Sequence, residues 1–372
     1  MEQIILIASF LIPLVLSLVI FFNSANNKPK RTLALSMLNA AAVFLANYFY
    51  FIQNFEIYVY LHSLHVAMVL FIYPSLYIYL KQLTNNYSIS YKTYIHILPG
   101  VLFFLLYFFF FDISIAQNER ITFLSNYRDK SLEIEQRFLV VEWIRIINVA
   151  IIVAQVVGYS LAIFNISRKY HLKLKNELSN ADDYQIKWLV WFNIGLIIIA
   201  ILSVMFYMIN PFSDSNNLLL IISMFSMSVF VWLIGIWGNA QKNIIFPVFN
   251  DDNNYKNIEN TELQVIYNNL IETINKNKIF TNPYLTLTEL ASNIGTNRTY
   301  ISQAINLQGH MNFNAFINKF RINEAINILE INPKIKIEEL ALRSGFGSVI
   351  SFQRAFNKDI GKTLTEWKNR KE

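Results

Sequence analysis

Few side chains in this sequence could do chemistry from inside an apolar stretch, and they fall into two groups. His62 and His65 lie in one such stretch, and Glu142 and Arg145 open another. Glu142 and Arg145 are three residues apart, so on a helix they share a face and can form an ion pair. Ionisable groups at membrane depth are costly and often mark functional sites. The plainer alternative is a structural pair near the headgroups, or side chains reaching out to water. Two histidines alone do not make a metal site, because the sequence identifies no third donor. The chain has no cysteine, which excludes disulfides, thiolate metal sites and cysteine nucleophiles. No nucleotide-binding loop, metal cluster or nucleophile triad is legible. The expectation is a non-enzyme without cofactor or metal, with His62, His65, Glu142 and Arg145 as candidate sensor residues.

The elements that hold these residues are apolar. Of 372 residues, 54% are hydrophobic, and the mean hydropathy is +0.35. A soluble chain of this length seldom carries so much apolar mass. Phe, Ile, Leu, Val and Tyr dominate as far as Gly238, after which Asn, Lys and Glu rise. A bilayer core of roughly 30 Å needs about 20 apolar residues of helix. Seven stretches qualify: 4–22, 33–52, 57–80, 94–111, 138–164, 187–209 and 218–237. The first lacks a positively charged start and is read as a span, not a leader.

Loop charge sets orientation. Lys28, Lys30 and Arg31 follow the first stretch, Lys81 and Lys92 the third, and Arg168, Lys169, Lys173 and Lys175 the fifth. Those nine cations exceed the four on the other side, Arg120, Arg128, Lys130 and Arg137. The odd-numbered loops are therefore expected inside and the N-terminus outside. Seven spans then deliver the C-terminal part to the cytoplasm, with the chain multi-pass in the inner membrane.

Residues 239–260 are polar and Asn-rich and read as a linker. Thr261 and Gln264 have capping-box spacing. Leu263, Ile266, Leu270 and Ile274 follow as an apolar helical stripe, which either packs on its own domain or pairs with a second copy of the chain.

The last part repeats a pattern. Thr286 and Glu289 form a capping box before a short helix with Leu287, Leu290, Ala291 and Ile294, and Gly295 ends it. A second helical stretch over 297–306 carries Ile301 and Ile305 inward. Two short helices joined by a tight glycine turn make a helix-turn-helix. Ile337, Leu340 and Ala341 lie on another short helix that ends at Gly345, and a helix over 348–358 turns Phe352 and Phe356 inward. The modules, about 286–306 and 336–358, are bridged by an amphipathic helix over 312–330 that buries Phe313, Phe316, Ile317 and Phe320. Thr363 and Glu366 cap a last helix through Trp367.

Residues 263–370 resemble the DNA-binding domain of the AraC/XylS family of bacterial transcription regulators. Leu290-Ala291 and Gly295 match its first module, the run Phe316 to Arg321 with Ala325 its linker helix, and Leu340-Ala341, Gly345-Phe346, Ser348, Phe352, Phe356 and Gly361 its second. With the multi-span N-terminal half, the architecture resembles membrane-embedded members. The resemblance implies base-facing positions at Arg298, Thr299, Ser302 and Gln303 on the first recognition helix. On the second it implies Ser348, Val349, Ile350, Gln353, Arg354 and Lys358 as DNA-contacting residues. Arginine can grip guanine and glutamine adenine in bidentate fashion. Lys319, Arg321 and Lys358 suit phosphates, which position without reading sequence. Residues 283–372 hold 12 Lys/Arg and 8 Asp/Glu, a modest positive field. Ile350, Asn357 and Leu364 depart from the family pattern, and Val349 and Ile350 offer thymine-methyl contact without hydrogen bonds. The second module is therefore expected to dock more than it reads.

The expected fold is all-α: a seven-span transmembrane bundle over 1–238, the linker, and a double helix-turn-helix domain over 261–372. The expected function is a membrane-bound regulator that couples a small-molecule or membrane signal to promoter binding. Expected partners are double-stranded DNA and the lipid bilayer, with RNA polymerase and a second copy of the chain as candidates. The alternatives are a transporter or enzyme with a regulatory helix-turn-helix domain, and a protein-docking role for that domain.

Overall fold

The computed structural model describes residues 2–24, 27–85, 90–126, 136–184, 186, 190, 193–195, 197, 217–241 and 260–368. Among the described residues the regular elements are helical, apart from one isolated antiparallel bridge between Leu178 and Thr286. The chain divides into two compact units. One comprises Met1–Ser167 and Ile186–Gln241; the other comprises Arg168–Gln185 and Lys242–Glu372.

The first unit is built on α1 (Glu2–Phe22), α2 (Lys28–Phe51) and α3 (Phe55–Thr84). Asn27 caps α2 by accepting from Lys30 N at 3.1 Å, and Pro29 sits in the first turn, where no N–H is needed. Asn54 caps α3 through Ile57 N at 3.2 Å. α2 buries Ala34, Ala40, Ala41 and Ala46, small side chains that let neighbouring helices approach. Polar side chains bond across helices to backbone carbonyls: Ser17 Oγ donates to Ala34 O at 2.7 Å, and Asn39 Nδ2 to Met68 O at 2.9 Å. The fourth expected span is not one uniform helix. A 3-10 stretch Tyr91–Ile97 leads into α4 (Leu98–Tyr107), which gives way to a π segment Phe108–Ile113. Pro99 stands in the first turn of α4 and lacks the N–H that would continue an unbroken ladder.

α5 (Gln117–Asn126), α6 (Leu139–Glu177) and α7 (Asn217–Ala240) follow. Ser228 on α7 donates to Ser9 O at 2.7 Å, and Tyr79 donates to Gly238 O at 3.2 Å. Val15, Leu18 and Val19 of α1 and Trp143, Ile147, Val157 and Leu161 of α6 remain exposed. Soluble surfaces rarely carry contiguous apolar area on this scale. Among the described residues, five helical stretches are long and apolar enough to cross a membrane: Gln3–Phe22, Lys28–Phe51, Phe55–Thr84, Tyr91–Ile113 and Leu139–Glu177. The sixth expected span, 187–209, lies mostly outside the described residues. α7 covers the seventh.

The second unit begins with the last turns of α6 and its following turn. After residue 259 come α8 (Asn260–Asn277), α9 (Leu287–Ile294), α10 (Arg298–Leu307), α11 (Phe313–Ile331), α12 (Ile337–Arg343), α13 (Val349–Ile360) and α14 (Leu364–Lys368). The caps expected from sequence form. Thr286 accepts from Glu289 N while the Glu289 carboxylate accepts from Thr286 N. Thr363 and Glu366 repeat the arrangement before α14. The expected capping residue Thr261 instead lies one residue inside α8.

Both helix-turn-helix turns close with the same hydrogen bonds. Thr296 N donates to Ala291 O and Gly295 N to Ser292 O; Phe346 N donates to Ala341 O and Gly345 N to Leu342 O. This is the Schellman arrangement, which needs a left-handed residue at its centre. Gly295 (φ +76°) and Gly345 (φ +92°) supply it. Gly345 is further constrained by space, since a Cβ there would lie 2.6 Å from Phe280 O.

Two apolar cores result, and α11 is a wall of both. Phe313, Phe316 and Ile317 close the first over Leu290, Ala291, Ile301 and Ile305. Ile322, Ala325 and Leu329 close the second over Leu340, Phe346, Phe352 and Phe356. The α8 stripe is used inside its own domain, with Leu270 and Ile274 fully buried in the first core.

Candidate nucleic-acid interface

α10 turns Ile301, Ala304 and Ile305 into the core, which leaves Arg298, Thr299, Ser302 and Gln303 on its opposite side. Their spacing of one, three and four residues gathers them on one helical face. Asn297 caps the helix, accepting from Thr299 N at 2.9 Å. Thr299, Ser302 and Gln303 are half-buried, and Ser302 Oγ accepts from Asn306 Nδ2 at 3.4 Å. Arg298 is engaged within the same unit. Its Nε donates to Glu177 Oε2 at 3.0 Å and its Nη2 to Glu177 Oε1, a fork-to-fork pair.

α13 is arranged alike. Phe352 and Phe356 face inward, and Ile350, Gln353, Arg354 and Lys358 are exposed. Ser348 is the N-cap, accepting from Ser351 N at 3.2 Å. Val349 packs against the second core, so of the two apolar residues here Ile350, 60% exposed, is the one turned outward. Each module thus carries an arginine and a glutamine on the side of its second helix away from the core; Gln353 and Arg354 are exposed, whereas Gln303 is half-buried and Arg298 is held by Glu177.

Arg321 departs from expectation. It is 1% exposed and not free to meet a phosphate. Its Nε donates to Phe280 O at 2.8 Å, Nη2 to Asn282 O at 2.8 Å and Ser179 Oγ at 2.9 Å, and Nη1 to Ser179 O at 3.1 Å. The guanidinium lies 5.6 Å from the Phe346 ring centroid. Burial pulls its pKa down from the usual arginine range. A signal for this was present: Ile317, Arg321, Ala325 and Ile328 recur at helical spacing, and all four are buried. Lys319 and Lys358 are exposed, as phosphate contacts require.

In the first unit, Glu142 and Arg145 form the expected ion pair at 2.7 Å, with the Glu142 side chain 8% exposed. His65 Nδ1 meets the Tyr58 hydroxyl at 3.1 Å, and His62 packs between the rings of Tyr107 and Phe111. Among the described residues no group of His, Cys, Asp and Glu could hold a metal. Sequence reasoning missed a neighbouring polar cluster. Asp112 pairs with Arg120 at 2.8 Å and accepts from Ser63 Oγ at 2.6 Å. In the sequence Arg120 reads only as a loop cation, and the i,i+8 separation across an irregular segment carries no local signal.

Residues 290–370 match the family profile of a helix-turn-helix domain. No curated protein and no solved structure matches the chain. The match covers the first module from Leu290 onward, the bridging helix and the second module, and it supports an AraC-family DNA-binding domain at this end of the chain. A DNA-binding transcription regulator with double-stranded DNA as its partner is the function this supports.

Proposed function

We propose that the chain is a one-component, membrane-bound transcription regulator. Its C-terminal domain grips promoter DNA in the cytoplasm, and its N-terminal helices, seven in number, respond to a stimulus in the bilayer or outside it. The observation that carries the reading is the repeat within the second unit. Two helix pairs with identical turn hydrogen bonds are held on one helix, each carrying an arginine and a glutamine on the side of its second helix away from the core. Recognition helices so held can enter successive major grooves, with α10 and α13 as the readers. Arg298, Gln303, Gln353 and Arg354 are the proposed base contacts, and Lys319 and Lys358 the phosphate contacts.

Membrane residence is supported by the five apolar helices and their exposed apolar side chains. Topology has separate support. The bonds from Asn314 and Arg321 to Ser179 O, in the segment after the fifth span, support one common side of the membrane for that segment and the DNA-binding domain. The cation count puts that side inside. His62, His65, Glu142 and Arg145, now joined by Asp112 and Arg120, are the proposed sensing region. A second copy and RNA polymerase remain proposed partners; pairing on a membrane would raise affinity through effective concentration. Footprinting with membranes that hold the full chain, on the DNA upstream of its own coding region, tests the reading. Protection of two major-groove segments about one helical turn apart is expected. Absence of protection anywhere in that region at low salt, together with no retention of random duplexes, contradicts it.

A further inference from the structure

The DNA-binding domain is occupied along one flank by a piece of the chain far away in sequence. The last turn of α6 and the turn after it, 177–180, bond to the first module at three levels. Leu178 pairs with Thr286 as an antiparallel bridge, and Ser179 N donates to Leu285 O at 3.1 Å. Asn314 Nδ2 of α11 donates to Ser179 O at 2.8 Å, and Arg321 reaches both Ser179 O and Ser179 Oγ. Beside these, Glu177 holds Arg298 in a two-pronged ion pair whose side chains are 13% and 23% exposed.

Arg298 is the first residue of α10, and the N-terminal residues of a recognition helix are those that approach base edges. Glu177 takes the Nε and Nη2 donors, the two-pronged edge that would otherwise grip a guanine or a phosphate, so that edge is not available to DNA while the pair holds. A carboxylate parked at the mouth of the recognition helix would also face the polyanion directly, which costs free energy. We propose that the segment 177–180 is a latch that competes with DNA for the first recognition helix, so the docked chain is the weak-binding state. This rests on the DNA-binding reading above.

The latch is built to be released. Without Ser179, Arg321 keeps Phe280 O and Asn282 O, so the domain retains its buried hub when the segment leaves. Arg321 lies on the helix that bridges the modules and beneath Phe346 of the second, so docking at Ser179 also touches the element that sets the spacing of the modules. α6 is one continuous helix from Leu139 to Glu177 and carries the Glu142–Arg145 pair in its first two turns. A stimulus that moves this helix along or about its axis withdraws Glu177 from Arg298. A ligand achieves that only by favouring the undocked state in free energy.

The absence of native cysteine makes the latch testable in the full chain. Residues paired across an antiparallel bridge lie about 4.5–5.5 Å apart at Cα, within the reach of a disulfide. Leu178→Cys with Thr286→Cys, in nanodiscs, is oxidised and its affinity for a random-sequence 40-bp duplex compared with that of the reduced form. The reduced form controls for the altered cap at 286. Oxidation is expected to weaken binding at least about tenfold, reversed by reductant. In the otherwise native chain, Glu177→Gln is expected to bind the same duplex about tenfold more tightly. Failure of the disulfide to form, equal affinity of locked and reduced forms, or unchanged or weaker binding by Glu177→Gln each overturns the latch. In those cases DNA binding by the reduced and native chains still stands. Loss of duplex binding by the native chain itself overturns both proposals.

Discussion

Replacing Arg321 separates a structural hub from a phosphate contact, the two roles that an arginine in this position could have. In Arg321→Met the charge and five N–H donors disappear from a site that is 1% exposed. Ser179 O keeps its bond from Asn314, and Asn282 O keeps a longer one from Leu285 N at 3.3 Å. The loss therefore centres on Phe280 O, which would need a new donor. A carbonyl left in that state costs about 1–3 kcal/mol. The volume not refilled by methionine, and the lost contact with Phe346, add about 1 kcal/mol more. A total near 3 kcal/mol corresponds to a roughly 150-fold larger open population at equilibrium. Hydrogen exchange of peptides covering α11, in the full chain held in nanodiscs, reads this directly as lost protection. Arg321→Lys is the sharper variant. One compact ammonium cannot serve three carbonyl directions with a planar fork, so lysine is expected to lose protection about as badly as methionine. A phosphate contact would behave oppositely: lysine would rescue it, exchange would be unaffected, and only DNA affinity and its salt slope would fall. That pattern would refute the assignment.

Gly345→Ala places a Cβ 2.6 Å from Phe280 O at φ +92°, so both strain and overlap apply. A loss of about 3 kcal/mol is expected, visible as exchange in α12 and α13. Arg354→Ala or Gln353→Ala leaves stability within about 0.5 kcal/mol, since both side chains are exposed, but relaxes preference at one base position by about 1–3 kcal/mol. Selection from random duplexes measures the change, and an unaltered preference would remove these residues from the reading set. Lys358→Ala keeps the same preferred sequence and lowers the slope of log affinity against log salt by about 0.9, measured by titration over salt. Thr286→Ala breaks the capping box of α9 and is expected to cost about 1 kcal/mol in the first module, checked by exchange of 287–294.

Much of the second unit was legible because its signals are local. Thr286 with Glu289, Gly295 and Gly345 each fix a boundary through chemistry within five residues, and the inward stripes of α10 and α13 follow from helical spacing alone. Arg321 was misassigned: its residue type points to phosphate, whereas its helical spacing with Ile317, Ala325 and Ile328 carries the signal for the burial observed. Glu177 and Arg298 are 121 residues apart, and nothing near either one announces the other. The first unit was legible as apolar helices because length and hydropathy suffice for that. Hydropathy does not register which carbonyl an amide pairs with, so the 3-10 and π segments on either side of α4 were invisible in it. The side chains at Asp112 and Arg120 meet through that irregular geometry and were missed for the same reason.

In the proposed function, one chain joins a lipid-held bundle to a domain that grips duplex DNA. The full chain in nanodiscs, titrated with a labelled duplex while salt is raised, tests both halves together. The prediction is that duplex comigrates with the discs at low salt, and that log affinity falls against log salt with a slope of about −2 or steeper, about −0.9 for each of the phosphate contacts proposed at Lys319 and Lys358. A chain that leaves the discs for the soluble fraction, or that stays in them and ignores duplex DNA at every salt concentration, would contradict it.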